Sequence, residues 1–177
     1  LEKKNESELK RDPNRARVMA TTVNIDNTKT FKIDISKYEW CANKEEIEVD
    51  GYTVYVYTSK MLVFEKLRAI CQQMPEYALV KRKKPRTRDF FDIYVLVHQL
   101  GIEFFIEDSA LLKSIFRTKK VPIELLSKIA DYKHHYESEV SALRDTLLGK
   151  NQNDFDFDVY FNYVIALANQ LANGLVS

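Results

Sequence analysis

The chain has 177 residues, enough to bury a real hydrophobic core as one domain or as one sizeable piece of a larger protein. Hydrophobic content of 45% and charged content of 30% are those of a globular protein, and no stretch approaches the roughly 18 to 20 uninterrupted apolar residues that a membrane span needs. Lys plus Arg (27) almost cancels Asp plus Glu (26), so attraction to nucleic acid or to an anionic surface has to come from a local patch.

Residues 1–14 are charged and nearly free of large apolar groups, which predicts a polar lead-in. Val18, Val23 and Ile25 then precede Asp26-Asn27-Thr28, and Phe31 to Ser36 alternates strictly. This reads as a hairpin with Phe31, Ile33 and Ile35 on one face and Lys32, Asp34 and Ser36 on the other. A second hairpin is expected where Ile47-Glu48-Val49 turns through Asp50-Gly51 into Tyr52 to Tyr57, a β-branched and aromatic run. Residues 15–57 therefore read as antiparallel sheet.

After Tyr57 the period becomes helical, with helices expected at about 59–74, 89–100, 108–117, 122–148 and 156–174. The fold class is α+β, strands first and helices after. Residues 58–100 carry the polar motifs described below, and 101–177 form a C-terminal helical part. The acidic stretch Asp154 to Asp158 suits a helix entry, because carboxylates favour the positive end of the helix dipole.

Cys41 and Cys71 have no second Cys or His at metal-ligand spacing, which argues against zinc and against a disulfide framework and points to a reducing cytoplasm. His98, His134 and His135 read as packing or surface residues. The four glycines are scattered, so the chain holds no Gly-rich phosphate loop.

In the helix that opens at Ser59, Val63, Leu67, Ile70 and Met74 form the buried stripe. Lys66 falls about 60° to the side of Val63, whereas Glu65 and Arg68 point away. In the next helix Phe90, Ile93, Val97 and Leu100 form the stripe, and Asp89 and Asp92 share one flank. Between the two lies Lys81-Arg82-Lys83-Lys84-Pro85-Arg86-Thr87-Arg88, six cations in eight residues with no acid. Such a run suits polyphosphate or a nucleic-acid backbone. Asp34, a strand carboxylate, adds to the set. Together these residues have the composition to hold Mg²⁺ and a nucleoside triphosphate, since Mg²⁺ bridges carboxylates to phosphates while Lys and Arg neutralise the remaining charge.

The segment Thr58 to Ala69, containing Glu65-Lys66-Leu67-Arg68-Ala69, followed after the basic interval by Arg88-Asp89-Phe90-Phe91-Asp92-Ile93, resembles the AbiEii/AbiGii-type nucleotidyltransferase toxins of bacterial abortive-infection and toxin-antitoxin systems. The resemblance implies a polymerase β-like nucleotidyltransferase sheet. It also implies Mg²⁺-dependent transfer of a nucleotide from an NTP to an acceptor, commonly tRNA, and a cognate antitoxin as partner. Lys66 then corresponds to the family's catalytic lysine and Asp92 to its catalytic aspartate, with Asp89 the alternative, and Asp34 to a further acidic, metal-binding position on the sheet. The Gly-rich turn of the family is missing here, so the chain is expected to be the C-terminal part of a longer enzyme and inactive by itself.

A reading from a different class makes the chain a non-enzymatic module that uses the 81–88 run and Tyr52, Tyr55 and Tyr57 to bind RNA or protein. Whether Lys66 and the carboxylates converge in space separates the two.

Overall fold

The computed structural model describes residues 10–12, 35, 38–146 and 155–175. The chain divides into two compact units, 1–37 and 38–177. In the first, Lys10 and Arg11 are helical and exposed, and Ile35 is exposed. The hairpin expected across Val18 to Ser36, and Asp34 with it, lies outside the described residues.

The second unit opens with an antiparallel ribbon of β1 (Glu45–Val49) and β2 (Tyr52–Val56), in the register Ile47 opposite Val54 and Val49 opposite Tyr52. The turn works because Asp50 and Gly51 both take positive φ, 50° and 80°, as a two-residue hairpin turn requires. Glycine reaches that region without steric cost and Asp tolerates it. Ile47, Val49, Tyr52 and Val54 share one face of the ribbon and remain exposed. Two strands alone cannot bury a sheet face, so the apolar core of this unit is made by helices.

Helix α1 (Ser59–Gln72) starts where Thr58 accepts a hydrogen bond from the Met61 amide at 3.1 Å. Met61, Val63, Phe64, Leu67, Ile70 and Cys71 are all buried. They span most of the helix circumference because α2 (Thr87–Leu100), α4 (Ser109–Thr118) and a 3-10 helix (Ile123–Tyr132) all pack against α1. A short α3 (Glu103–Ile106) follows α2. Helix α7 (Phe157–Asn173) closes the bundle over α2 and the 3-10 helix, with Asp156 as its N-cap. Phe90 of α2 lies at the centre of the α2–α7 seam, 4.7 Å from the Tyr136 ring, 5.4 Å from Phe161 and 5.6 Å from Phe157.

Two expectations from periodicity are corrected. Helix α2 begins two residues earlier, at Thr87, and Leu100 lies exposed at its end and not in the buried stripe. The long helix expected over 122–148 is three elements: the 3-10 helix, α5 (Lys133–Glu137) and α6 (Val140–Thr146). The first is set by a strict three-residue period, Ile123, Leu126, Ile129 and Tyr132, which a 3-10 helix stacks in one column facing the core. The break before α6 falls at Ser138, whose hydroxyl donates to the His135 carbonyl at 2.7 Å and so competes with the helical ladder.

Candidate functional site

Helix α1 brings Lys66 up against the first turns of α2. The Lys66 ammonium donates to Asp89 Oδ1 at 2.9 Å and to Asp92 Oδ2 at 2.7 Å. Positions 89 and 92 lie three apart, so one flank of the helix presents both carboxylates to a single cation. Lys66 and Asp92 keep side-chain exposures of 22% and 26%, whereas Asp89 has 7%: the cluster opens to solvent on the Asp92 side. Burial pulls the Lys66 pKa down, but the hydrogen bonds and charges of Asp92 and Asp89 outweigh it and hold the ammonium above the ordinary lysine value.

The inner carboxylate has a second cation. Arg86 Nε donates to Asp89 Oδ2 at 2.6 Å, and the Asp89 amide donates back to the Arg86 carbonyl at 2.9 Å. Nearby, the Thr87 hydroxyl donates to the Tyr136 carbonyl at 2.6 Å in a fully buried contact that pins the start of α2 to α5. Arg88 approaches Asp92 Oδ1 only to 3.7 Å and is 67% exposed.

The basic run is a fixed loop whose cations divide between inward and outward roles. Lys83 turns inward, donating to the Tyr77 carbonyl and, at 3.2 Å, to the Gln72 carbonyl, so it closes the C-terminal end of α1. The Lys84 amide donates to Gln73 Oε1 at 2.9 Å. Arg86 and Arg88 are exposed but face Asp89 and Asp92, whereas Lys81, Arg82 and Lys84 are exposed and make no ion pair among the described residues.

A correction concerns the far flank of α1. Glu65 and Arg68, expected to point away from the buried stripe, are themselves nearly buried, with side-chain exposures of 11% and 9%, and Arg68 Nε donates to Glu65 Oε2 at 2.7 Å. Arg68 also bonds Gln72. Burial raises the Glu65 pKa despite the Arg68 counter-charge, and Glu65 Oε1 is buried with no hydrogen-bond partner among the described residues. The i,i+3 pairing of opposite charges was visible in the sequence. That three neighbours surround the helix was not.

The donors near Lys66 do not make a metal centre. Both oxygens of Asp89 are taken by cations, those of Asp92 face Lys66 and Arg88, and no group of three His, Cys, Asp or Glu among the described residues has metal-holding geometry. Lys66 stands where a Mg²⁺ between these carboxylates would need to be. What the arrangement can do is present an ammonium, held at its base by a buried carboxylate and at its rim by an accessible one, to a ligand arriving past the basic loop. Among the described residues no helix is long and apolar enough to cross a membrane.

The family described as nucleotidyl transferase AbiEii toxin, type IV TA system, matches residues 2–161, so the match runs beyond the Lys and Asp helices into α7. No curated protein and no solved structure matches the chain significantly. The match spans both polar helices, the basic loop between them and most of the helical bundle, and the chain belongs to the AbiEii nucleotidyl transferase toxin family of type IV toxin-antitoxin systems.

Proposed function

We propose that Lys66, Asp89 and Asp92 form the phosphate-handling part of a nucleotidyltransferase active site that moves a nucleotide from an NTP onto RNA, with tRNA as the acceptor. One observation carries the reading: the Lys66 ammonium is shared between two carboxylates of unequal burial at the edge of a basic loop. In the reaction an acceptor hydroxyl oxygen bonds to the α-phosphorus, the bond from that phosphorus to the bridging oxygen breaks, and pyrophosphate leaves with the negative charge. Lys66 exchanges its contact with Asp92 for a phosphate oxygen and stabilises that charge. Asp92, released and accessible, takes the hydroxyl proton. Asp89 stays beneath Lys66 and fixes its direction. Lys81, Arg82, Lys84 and Arg88 meet phosphates of the NTP or of the RNA.

The polymerase β-like sheet would include the β1–β2 ribbon. Any Mg²⁺ would be held by carboxylates other than Asp89 and Asp92, and Asp34 is the candidate from the sequence. A cognate antitoxin and a cytoplasmic site of action, where NTP and RNA meet, complete the reading. Full-length enzyme carrying Lys66→Ala is expected to lose transfer of label from an α-labelled NTP to RNA while circular dichroism shows it folded; retained transfer overturns the assignment.

A further inference from the structure

We infer that Arg86 is a positioning residue for Lys66, acting through Asp89, and not one of the cations that meet phosphate. The inference rests on the proposed function only in naming a nucleotide as the partner that Lys66 later takes. Its geometric basis is independent of that. Arg86 and Asp89 close a ring one helical turn long, with Nε to Oδ2 at 2.6 Å and the Asp89 amide to the Arg86 carbonyl at 2.9 Å. The ring fixes the carboxylate plane at the start of α2. It leaves Oδ1, and only Oδ1, to accept from Lys66 at 2.9 Å.

The chemical consequence is a divided charge. Asp89 is 7% exposed, so its anion is poorly screened by water and would attract Lys66 with its full charge if Lys66 were its sole counter-ion. Arg86 takes half of that demand. Lys66 is then oriented by Asp89 without being captured by it, and the ammonium can turn to an incoming anion when Asp92 lets go. Arg88 has no such role: it is loosely placed at 3.7 Å from the accessible carboxylate.

The test reads the Lys66 amine directly. The chain is treated with an amine-acylating succinimidyl ester at mildly alkaline pH, and modification of Lys66 is followed by mass spectrometry in wild type, Arg86→Ala, Arg86→Lys, Asp89→Asn and the Arg86→Ala/Asp89→Asn double variant. If Arg86 shares the Asp89 charge, Arg86→Ala raises the Lys66 pKa and slows acylation about threefold or more, as half a pKa unit brings. Arg86→Lys, which keeps a cation over Oδ2, returns the rate to within about twofold of wild type, since the charge remains. In the Asp89→Asn background the Arg86→Ala effect disappears.

A purely structural role predicts the opposite sign, because a loosened helix start exposes Lys66 and speeds its acylation. Faster or unchanged acylation in Arg86→Ala, or a slowing that persists when residue 89 is Asn, overturns the inference. Protection of wild-type Lys66 by added nucleoside triphosphate is the separate arm. Absence of protection together with slowed acylation in Arg86→Ala rejects the nucleotide reading and leaves the Arg86 assignment standing.

Discussion

Lys66 and Asp89, 23 positions apart in the chain, meet at 2.9 Å, and Asp89 meets Arg86 through its other oxygen at 2.6 Å. A nearly buried carboxylate between two cations is the keystone of the α1–α2 contact. Removing either cation leaves part of a buried charge unanswered, which links the stability of this region to the chemistry proposed for it.

Lys66→Met should therefore destabilise the fold as well as abolish transfer. The methionine fills similar volume but leaves Asp89 with Arg86 alone and Asp92 with the distant Arg88. A loss of about 2 kcal/mol is expected, below the cost of breaking a fully buried pair because the cluster is open on one side. Urea unfolding of the two proteins measures it, and adding Asp89→Asn to Lys66→Met should recover part of the loss.

The Thr87 hydroxyl makes one contact, to the Tyr136 carbonyl, and both groups are buried. Thr87→Val keeps the side-chain shape and removes this bond, while the carbonyl keeps its bond from the Glu139 amide at 3.3 Å. A destabilisation of about 1 kcal/mol is expected from the loss of one buried hydrogen bond. A melting temperature unchanged from wild type would show that the contact does not hold the start of α2.

The cations of the loop should separate into two phenotypes. Lys81→Ala, Arg82→Ala and Lys84→Ala are expected to weaken RNA binding and to reduce the slope of log affinity against log salt by about one for each phosphate no longer neutralised, with thermal stability unchanged. Lys83→Ala should do the reverse, lowering the melting temperature through the freed Gln72 and Tyr77 carbonyls. Filter binding over a salt series and a thermal melt distinguish them.

Glu65 and Lys66, adjacent on α1, should both lose stability as pH rises, in separate windows and for different reasons. Burial raises the Glu65 pKa above 4.5, so in the window above that value the folded state binds more protons than the unfolded one, and stability falls as pH rises through it. Glu65→Gln should flatten this part of the profile. Lys66 also has a raised pKa, but its charged form is the stabilised one. Its contribution is fully present below 10.5 and is lost as pH climbs through the folded-state value, so Lys66→Met should remove an alkaline transition. Urea midpoints across pH for the three proteins check both windows.

Much of the fold was legible in the residues. The Asp50-Gly51 turn, α1 opening after Thr58, α2, α4 and α7 all follow from caps, turn chemistry and a 3.6-residue period, which are properties of neighbours in the chain. The misread stretch, 122–148, is where a period of three mimicked one of 3.6 and where a serine hydroxyl competed for the backbone. The candidate site was legible as a set of residues: Lys66, Asp89, Asp92 and the six cations of the basic run stand out by type and spacing.

Their division of labour was not. Periodicity places a side chain on a face of its own helix, but whether Asp89 or Asp92 is the buried one, which cation each oxygen holds, and that Lys83 turns inward and Arg86 pairs with Asp89 while Lys81, Arg82 and Lys84 do neither, depend on how closely α1 and α2 approach. The sequence by itself determined which charges are available on each helix. Only the tertiary structure decided which of them neutralise one another, because that depends on contacts between residues 23 and 26 positions apart, and no local pattern encodes their distance.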